Sequence, residues 1–96
     1  MQDEAFEWDD RKAATNWRDH AISFAMARDA FEDDFAIEWI DSRHDAQEER
    51  YGLLGMVEGR LLCVAFTLRR NRIRIISARK AEPHERRRYH NQDREA

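Results

Sequence analysis

The chain has 96 residues, of which 42% are hydrophobic and 39% charged, and its formal net charge is −3. This length allows a single domain, residues 1–96, with one modest core, and three Trp with five Phe residues argue against a disordered chain. No apolar run approaches the roughly 20 residues that span a bilayer, and the acidic N-terminus lacks the apolar segment of a secretory signal, so we expect a cytoplasmic protein without membrane association.

A short strand and a helix are predicted at the start of the chain. Phe6-Glu7-Trp8 alternates apolar and acidic residues, as strands do. Asp9 is a favourable N-cap, and the helix that it starts is predicted to run from Asp10 to about His20. Four residues at three- and four-residue spacing are predicted to form the apolar stripe of this helix: Ala13, Ala14, Trp17 and Ala21.

A second helix and an edge strand are predicted next. Ser23 is a suitable cap for a helix over residues 24–31, which would place Phe24, Ala27 and Phe31 on one face. Residues 35–40 alternate less regularly and predict a short edge strand. Residues 41–48 are polar and predict a loop.

The second half of the chain predicts three further strands and a third helix. The strands cover residues 51–57, 61–68 and 72–81, with tight turns at Glu58-Gly59 and Arg70-Asn71. Residues 61–68 are almost continuously apolar, which is typical of a central strand buried on both faces. Pro83 suits the first turn of a helix that ends near His90. This order predicts an α+β fold with helices on one face of an antiparallel sheet, the first strand pairing at one edge.

Basic residues are concentrated in the second half of the chain. Residues 1–48 have a charge balance of −9 and residues 49–96 a balance of +6, which favours a basic face for an anionic partner. The last strand carries four cations: Arg72, Arg74, Arg79 and Lys80. Guanidinium groups match the geometry of phosphate, so this strand predicts a phosphate-binding surface.

The last strand does not alternate regularly. Strict alternation leaves both of its faces with a mixture of apolar and basic side chains. A bulge near Ile75-Ile76 would resolve the conflict, and so would a strand that is covered at one end and open at the other. An exposed edge that is protected by its charges is the alternative interpretation of the same residues.

Three polar residues of the first helix form a second stripe. Lys12, Asn16 and His20 follow at four-residue steps and therefore share a face. Against the sheet, this face could provide charge stabilisation and proton transfer; otherwise Lys12 is an ordinary exposed lysine. The four histidines show no metal-ligand spacing with cysteine or acidic residues, so we expect no metal and no other cofactor. Cys63 lies in an apolar run and predicts a buried, unreactive thiol.

A resemblance to a known family extends over residues 6–89 and is carried by short blocks in matching order. The first blocks are Phe6-Glu7-Trp8-Asp9, Lys12, Asn16, His20 and Ser23-Phe24. The later blocks are Glu49-Arg50-Tyr51, Gly55, Gly59-Arg60-Leu61-Leu62, residues 73–81, Glu85-Arg86 and Tyr89. Residues 74–79, Arg-Ile-Ile-Ser-Ala-Arg, are the most specific block. Asp19 and Ala21 depart from the family pattern, which has Lys and Gly there.

These blocks resemble the BrnT toxin family. The resemblance implies a RelE-like α+β fold, in which two N-terminal helices and a short C-terminal helix accompany a short N-terminal strand and a four-strand meander. It implies an endoribonuclease toxin of a bacterial type II toxin–antitoxin pair, which cuts RNA without metal and inhibits translation. The implied partner is a BrnA-like ribbon-helix-helix antitoxin, which neutralises the toxin and represses the operon together with it. Operator DNA would be contacted only through the antitoxin.

The implied activity identifies candidate site residues. Attack by a 2′-hydroxyl on phosphorus needs a base, an acid and cations that stabilise the transition state. The expected phosphate ligands are Arg50, Arg74 and Arg79, the expected bases Lys12 or His20, and the expected acids or stacking groups Tyr51 or Tyr89. The further RNA contacts expected are Arg72, Lys80, Arg86 and Tyr89. The alternative function is a non-catalytic module that binds RNA or a partner, such as a decayed toxin acting as corepressor.

Overall fold

The computed structural model describes residues 1–41 and 48–92 and contains a five-stranded sheet with three helices. In chain order, the elements are β1 (Phe6–Glu7), α1 (Asp10–His20), α2 (Phe24–Asp29) with a 3₁₀ turn (Ala30–Glu32), β2 (Ile37–Asp41), β3 (Arg50–Val57), β4 (Arg60–Arg69), β5 (Arg72–Lys80) and α3 (Pro83–Asn91). The predicted order of elements is confirmed. Most of the loop predicted over residues 41–48 lies outside the described residues.

The strands are arranged in the order β1-β5-β4-β3-β2. Strands β2 to β5 form the predicted antiparallel meander, and β2 is the predicted edge strand. The first strand pairs at the opposite edge, but in parallel with β5, so the prediction of an antiparallel sheet was wrong for this strand. Two helices separate β1 from the meander, and no hairpin fixes its direction.

Local side-chain chemistry sets the ends of the elements. The Asp9 carboxylate accepts hydrogen bonds from the first backbone amides of α1, and the Ser23 hydroxyl accepts one from Met26 in α2, as predicted for both caps. Pro83 begins α3, where Glu82 and Glu85 form a capping box. The β4–β5 turn places Arg70 and Asn71 at positive φ (51° and 66°), the geometry of a tight hairpin turn.

One face of the sheet is covered by α1 and α2 and holds the main core. The buried cluster consists of Ile22, Phe24, Ala27, Ala30, Leu53, Val57, Leu62, Val64, Phe66, Ile75 and Ala78. Phe31 joins it through an edge-to-face contact with Phe66, with ring centroids 5.0 Å apart. Strand β4 is buried on both faces along most of its length, which confirms its prediction as the central strand. We call this side of the sheet the covered face.

The predicted apolar stripe of α1 was wrong for three of its four residues, and only Ala13 packs against the core. Trp17 is 60% exposed, and Ala14 and Ala21 are exposed as well. The buried residue of this helix is Asn16, which is only 5% exposed. The hydrogen bonds of Asn16, with a smaller apolar contact from Ala13, therefore determine which side of α1 faces the sheet.

The side chain of Asn16 fastens α1 to the edge of β5. Its amide nitrogen donates to the carbonyl oxygens of Ile22 and Ala78, both at 2.9 Å, and its oxygen accepts from the Ala78 N–H at 3.0 Å. Strand β1 pairs with β5 only at residues 73 and 74, so the backbone of Ala78 meets no strand on that side. The Asn16 amide satisfies both of its polar groups instead.

Candidate functional site

The other face of the sheet carries a concavity of about 640 Å³ beside α3. Its floor is a row of residues that pair in register across four strands: Trp39, Gly52, Ala65 and Ser77. Three of these four residues have a small side chain or none, so the floor lies close to the backbone of the sheet and the space above it stays open. We call this side of the sheet the concave face.

A bulge in β5 decides which residues reach the concave face. Ala65 pairs with Ser77 and the next residue, Phe66, pairs with Ile75, so Ile76 has no partner in β4. The predicted bulge near Ile75-Ile76 is confirmed. Because of the extra residue, Arg79 and Ser77 point to the same side of the sheet as Arg74, although strict alternation would separate them.

Two arginines line the concavity from opposite sides of its floor. Arg50 lies in β3 next to Gly52, and Arg79 lies in β5 beside Cys63. Among the described residues, Arg50 has neither an ion pair nor a side-chain hydrogen bond. It is half-buried and therefore a strong candidate to bind an anion.

Arg79 is held by a bidentate ion pair with Glu85 of α3. The two guanidinium nitrogens lie 2.7 and 3.1 Å from the two carboxylate oxygens, and the Glu85 side chain is 11% exposed. Burial raises the pKa of the Glu85 carboxyl, but the bonds from Arg79 and the Glu82 N–H outweigh burial and lower that pKa to about 2. Arg79 keeps 37% of its side chain exposed, so one side of its guanidinium remains available to a ligand.

Cys63 lines the concavity beside Arg79. Tyr51 pairs with Phe66 and stacks its ring on it on the covered face, with ring centroids 5.4 Å apart. The Tyr51 hydroxyl donates to Glu49 at 2.9 Å, and this bond raises its pKa. Burial raises the pKa of the Cys63 thiol to about 12, which agrees with the prediction of an unreactive thiol.

A second, smaller concavity of about 320 Å³ lies between α1 and the edge of β5. Lys12, Asn16 and His20 line it together with Ile76 and Ser77, which confirms that the polar stripe of α1 faces the sheet. Ile76 and Ser77 also line the larger concavity. The bulged part of β5 thus separates Lys12 and His20 from Arg50 and Arg79.

The remaining predicted site residues lie outside both concavities. Arg74 forms an ion pair with Glu7 at 3.0 Å, and Arg72 donates to the Asp3 carbonyl at 2.6 Å, so both hold the N-terminal segment against β5. Arg86 donates to the Ala81 carbonyl at 2.9 Å. Tyr89 is buried in a small core cluster, and its hydroxyl donates to Asp33, so its ring is not open to a nucleobase. Lys80 is exposed at the end of β5.

Sequence reasoning missed several residues that line the larger concavity, among them Trp39, Asp41, His84 and Glu85. A glycine inside a strand, Gly52, was a usable signal, since such glycines mark the close approach of another group. The side chains of α3 gave no signal of this kind. Within residues 1–41 and 48–92, no three His, Cys, Asp or Glu side chains are grouped closely enough to hold a metal ion.

Comparison with known proteins identifies the class of the chain. A family described as the ribonuclease toxin, BrnT, of type II toxin–antitoxin systems matches residues 8–85. The match begins directly after β1 and includes both N-terminal helices, the whole meander and the first residues of α3. No curated protein matches the chain.

The class is therefore that of type II toxins that act as ribonucleases. The chain belongs to the BrnT family within it. None of the helices in the described part of the chain is long and apolar enough to cross a membrane.

Proposed function

We propose that this toxin is an endoribonuclease that cuts RNA without a metal and that its active site is the larger concavity on the concave face. The observation that supports the proposal is the placement of Arg50 and Arg79 on either side of a low floor. Two guanidinium groups facing one cavity suit a phosphodiester, whose two non-bridging oxygens share a negative charge and accept paired N–H donors.

The proposed reaction is attack of a 2′-hydroxyl on the neighbouring phosphorus, with departure of the 5′-oxygen. Charge accumulates on the non-bridging oxygens in the transition state, and fixed cations stabilise it there. Arg79 fits this role because Glu85 fixes its orientation before substrate binds. Arg50 is the second phosphate ligand.

Proton transfer requires a base for the 2′-hydroxyl and an acid for the leaving oxygen. Tyr51 does not suit the acid role, because its ring stacks on Phe66 on the covered face and its hydroxyl donates to Glu49. For the base, His84 lies in the same concavity as the arginines, whereas His20 and Lys12 lie in the neighbouring one. Imidazole has a pKa near neutrality and is the better base. Comparing His84→Gln with His20→Gln identifies which histidine acts: substitution of the essential one removes the acidic limb of the pH–rate profile.

The regulatory part of the proposal follows from the family. A type II toxin has an antitoxin partner, and we propose a BrnA-like ribbon-helix-helix protein that neutralises the toxin in the cytoplasm and represses the operon with it. The acidic first half of the chain, with a balance of −9, suits a basic partner. We also propose that the fold is RelE-like, because a meander with two N-terminal helices is what that class implies.

Cleavage of purified RNA tests the catalytic proposal. We expect Arg50→Ala and Arg79→Ala each to lower the cleavage rate about 100- to 1,000-fold, the usual effect of removing one transition-state donor. Arg60→Ala is the matched control, since Arg60 is exposed at the start of β4 and lines neither concavity. Assays with EDTA test metal independence, and melting temperatures check the fold.

Wild-type protein that cuts no RNA, with or without ribosomes, would contradict the catalytic proposal. Salt-sensitive RNA binding without product would instead favour the non-catalytic binding module. Growth arrest on induction, relieved by co-expression of a neighbouring ribbon-helix-helix gene, tests the antitoxin part separately.

A further inference from the structure

Trp39 occupies an unusual position in the larger concavity. It belongs to the edge strand β2, and its indole ring lies across the backbone of Gly52 in the neighbouring strand β3. A Cβ atom at position 52 would collide with the Cζ2 and Cε2 atoms of the ring. The indole can lie flat on the floor of the concavity only because residue 52 has no side chain.

The indole of Trp39 is partly buried against neighbouring side chains and partly exposed to the concavity. Trp39 is half-buried, and its apolar neighbours include the small cluster around Leu54 and Tyr89. The guanidinium of Arg88 from α3 lies over the ring, with its central carbon 5.1 Å from the ring centroid. A planar, weakly hydrated cation thus already uses the ring as a stacking surface.

We propose that Trp39 is the stacking platform for a nucleobase of the single-stranded RNA substrate, a role that rests on the proposed function. The base takes the ring surface over which Arg88 now lies, and Arg88 turns to a backbone phosphate. Arg50 and Arg79 bind the phosphate next to that base. Trp39 is thereby a specificity-determining residue for single-stranded RNA.

The surroundings of Trp39 favour a nucleobase over a protein side chain as the occupant. The floor beside the ring consists of Gly52, Ala65 and Ser77, and its flatness suits a planar group. The charged groups near the ring include Arg50, Arg79 and Arg88, which suit the phosphates that flank every nucleobase. Of the carboxylates that line the concavity, Glu82 and Glu85 lie within ion-pair distance of Arg79, while Asp41 is the strand partner of Arg50.

The test uses two RNA oligonucleotides of the same length, both with 2′-O-methyl groups that prevent cleavage. One probe contains bases, and the other lacks all bases. We expect Trp39→Leu to weaken binding of the base-containing probe about 5- to 150-fold, the range for loss of one stacked base. Binding of the abasic probe should not change. Gly52→Ala, which leaves the indole intact but pushes it off the floor, should act in the same direction.

Trp17→Leu is the matched control, because Trp17 is exposed on α1 and lines neither concavity. It should bind both probes like wild type, and melting temperatures of all variants check the fold. Equal losses for both probes in Trp39→Leu would overturn the proposal, because the residue would then act only on structure or backbone binding. Unchanged binding, or loss of antitoxin affinity alone, would overturn it too, as would wild-type protein that binds neither probe.

The probes cannot be cut, so stacking and cleavage can fail separately. Wild-type protein that binds bases through Trp39 but cuts no RNA contradicts only the ribonuclease proposal. Protein that cuts RNA equally well with and without Trp39 contradicts only the stacking proposal.

Discussion

The covered face and the concave face of the sheet are built from the same strands but by different rules. The covered face presents large apolar residues, such as Leu53, Leu62 and Phe66, to the helices α1 and α2. The concave face presents Gly52 and Ala65 at the neighbouring positions of the same strands. Large side chains fill one side and stabilise the fold, whereas small ones on the other side leave a cavity that charged groups surround.

This difference shows how strand alternation allows stability and function to be separated. In β4, Leu62, Val64 and Phe66 face the core, while Cys63 and Ala65 face the concavity. The bulge at Ile76 extends the separation to β5, where it keeps Ile75 in the core and turns Ser77 and Arg79 toward the concavity. Substitutions on the covered face should therefore change stability, and those on the concave face should change activity.

The largest expected effect is on the covered face. Leu62→Ala removes a fully buried side chain and should lower the free energy of unfolding by about 2–5 kcal/mol, since it leaves a cavity in the core. Leu68→Ala on the same strand, where Leu68 is 56% exposed, is the control and should cost less than about 1 kcal/mol. Urea denaturation measures both. Similar losses for the two variants would break the distinction between buried and exposed positions of β4.

A second effect concerns the junction between α1 and β5. Asn16→Ala removes three hydrogen bonds and leaves buried backbone groups of Ala78 and Ile22 without partners, so it should cost about 2–4 kcal/mol. Asn16→Asp keeps the acceptor for the Ala78 N–H but loses both donors. Hydrogen exchange of the Ala78 amide should therefore accelerate in Asn16→Ala. An unchanged exchange rate of the Ala78 amide would show that the Asn16 side chain does not protect the backbone at this edge of β5.

Two glycines of β3 compare the faces directly. Gly55 faces the covered side, where a Cβ atom would collide with the backbone oxygen of Ala30, so Gly55→Ala should cost about 1–3 kcal/mol. Gly52 faces Trp39, a side chain that can turn away into the concavity. We expect Gly52→Ala to be less destabilising in the same denaturation assay but more damaging to RNA binding. The reverse ranking would contradict the assignment of the two faces.

The smallest effect is a change in the pH dependence of stability. The pKa of Glu85 is about 2 in the folded protein, below the ordinary 4.5, so the unfolded chain takes up the proton first as the pH falls. The stabilisation is present above about pH 4.5 and is lost between there and pH 2. Glu85→Gln should therefore flatten the decline of unfolding free energy in this range, although Asp3, Asp9 and Asp33 also have lowered pKa values. Glu58→Gln, at an exposed turn, should leave the decline unchanged.

The elements of the fold were predictable because their signals are local. Asp9, Ser23 and Pro83 mark helix starts within one turn of the chain, and Arg70-Asn71 marks a hairpin. The side of α1 that faces the sheet was not predictable from apolar spacing, because a hydrogen-bonded amide, rather than Trp17, docks the helix. The parallel direction of β1 was equally hidden, since it depends on pairing between residues 67 positions apart.

The candidate site was predictable only in part. Arg50 and Arg79, which belong to two of the family blocks, line the concavity, whereas the ring of Tyr51 stacks on Phe66 on the covered face. Arg74 was a reasonable candidate from the same blocks, but its partner Glu7 lies at the other end of the chain and engages it in an ion pair. The contributions of Trp39 and Arg88 depend on strand register and on the packing of α3, which no local pattern of residues specifies.

The larger concavity is formed mainly by residues from the second half of the chain, which the ribosome synthesises last. Its floor extends from Trp39 to Ser77, and its wall is α3, which ends at Asn91. The polar stripe of α1 leaves the ribosome first, but the two arginines are not both in place until β5 and α3 have followed. If the larger concavity is the active site, as we propose, it is complete only when nearly all of residues 1–91 have been synthesised.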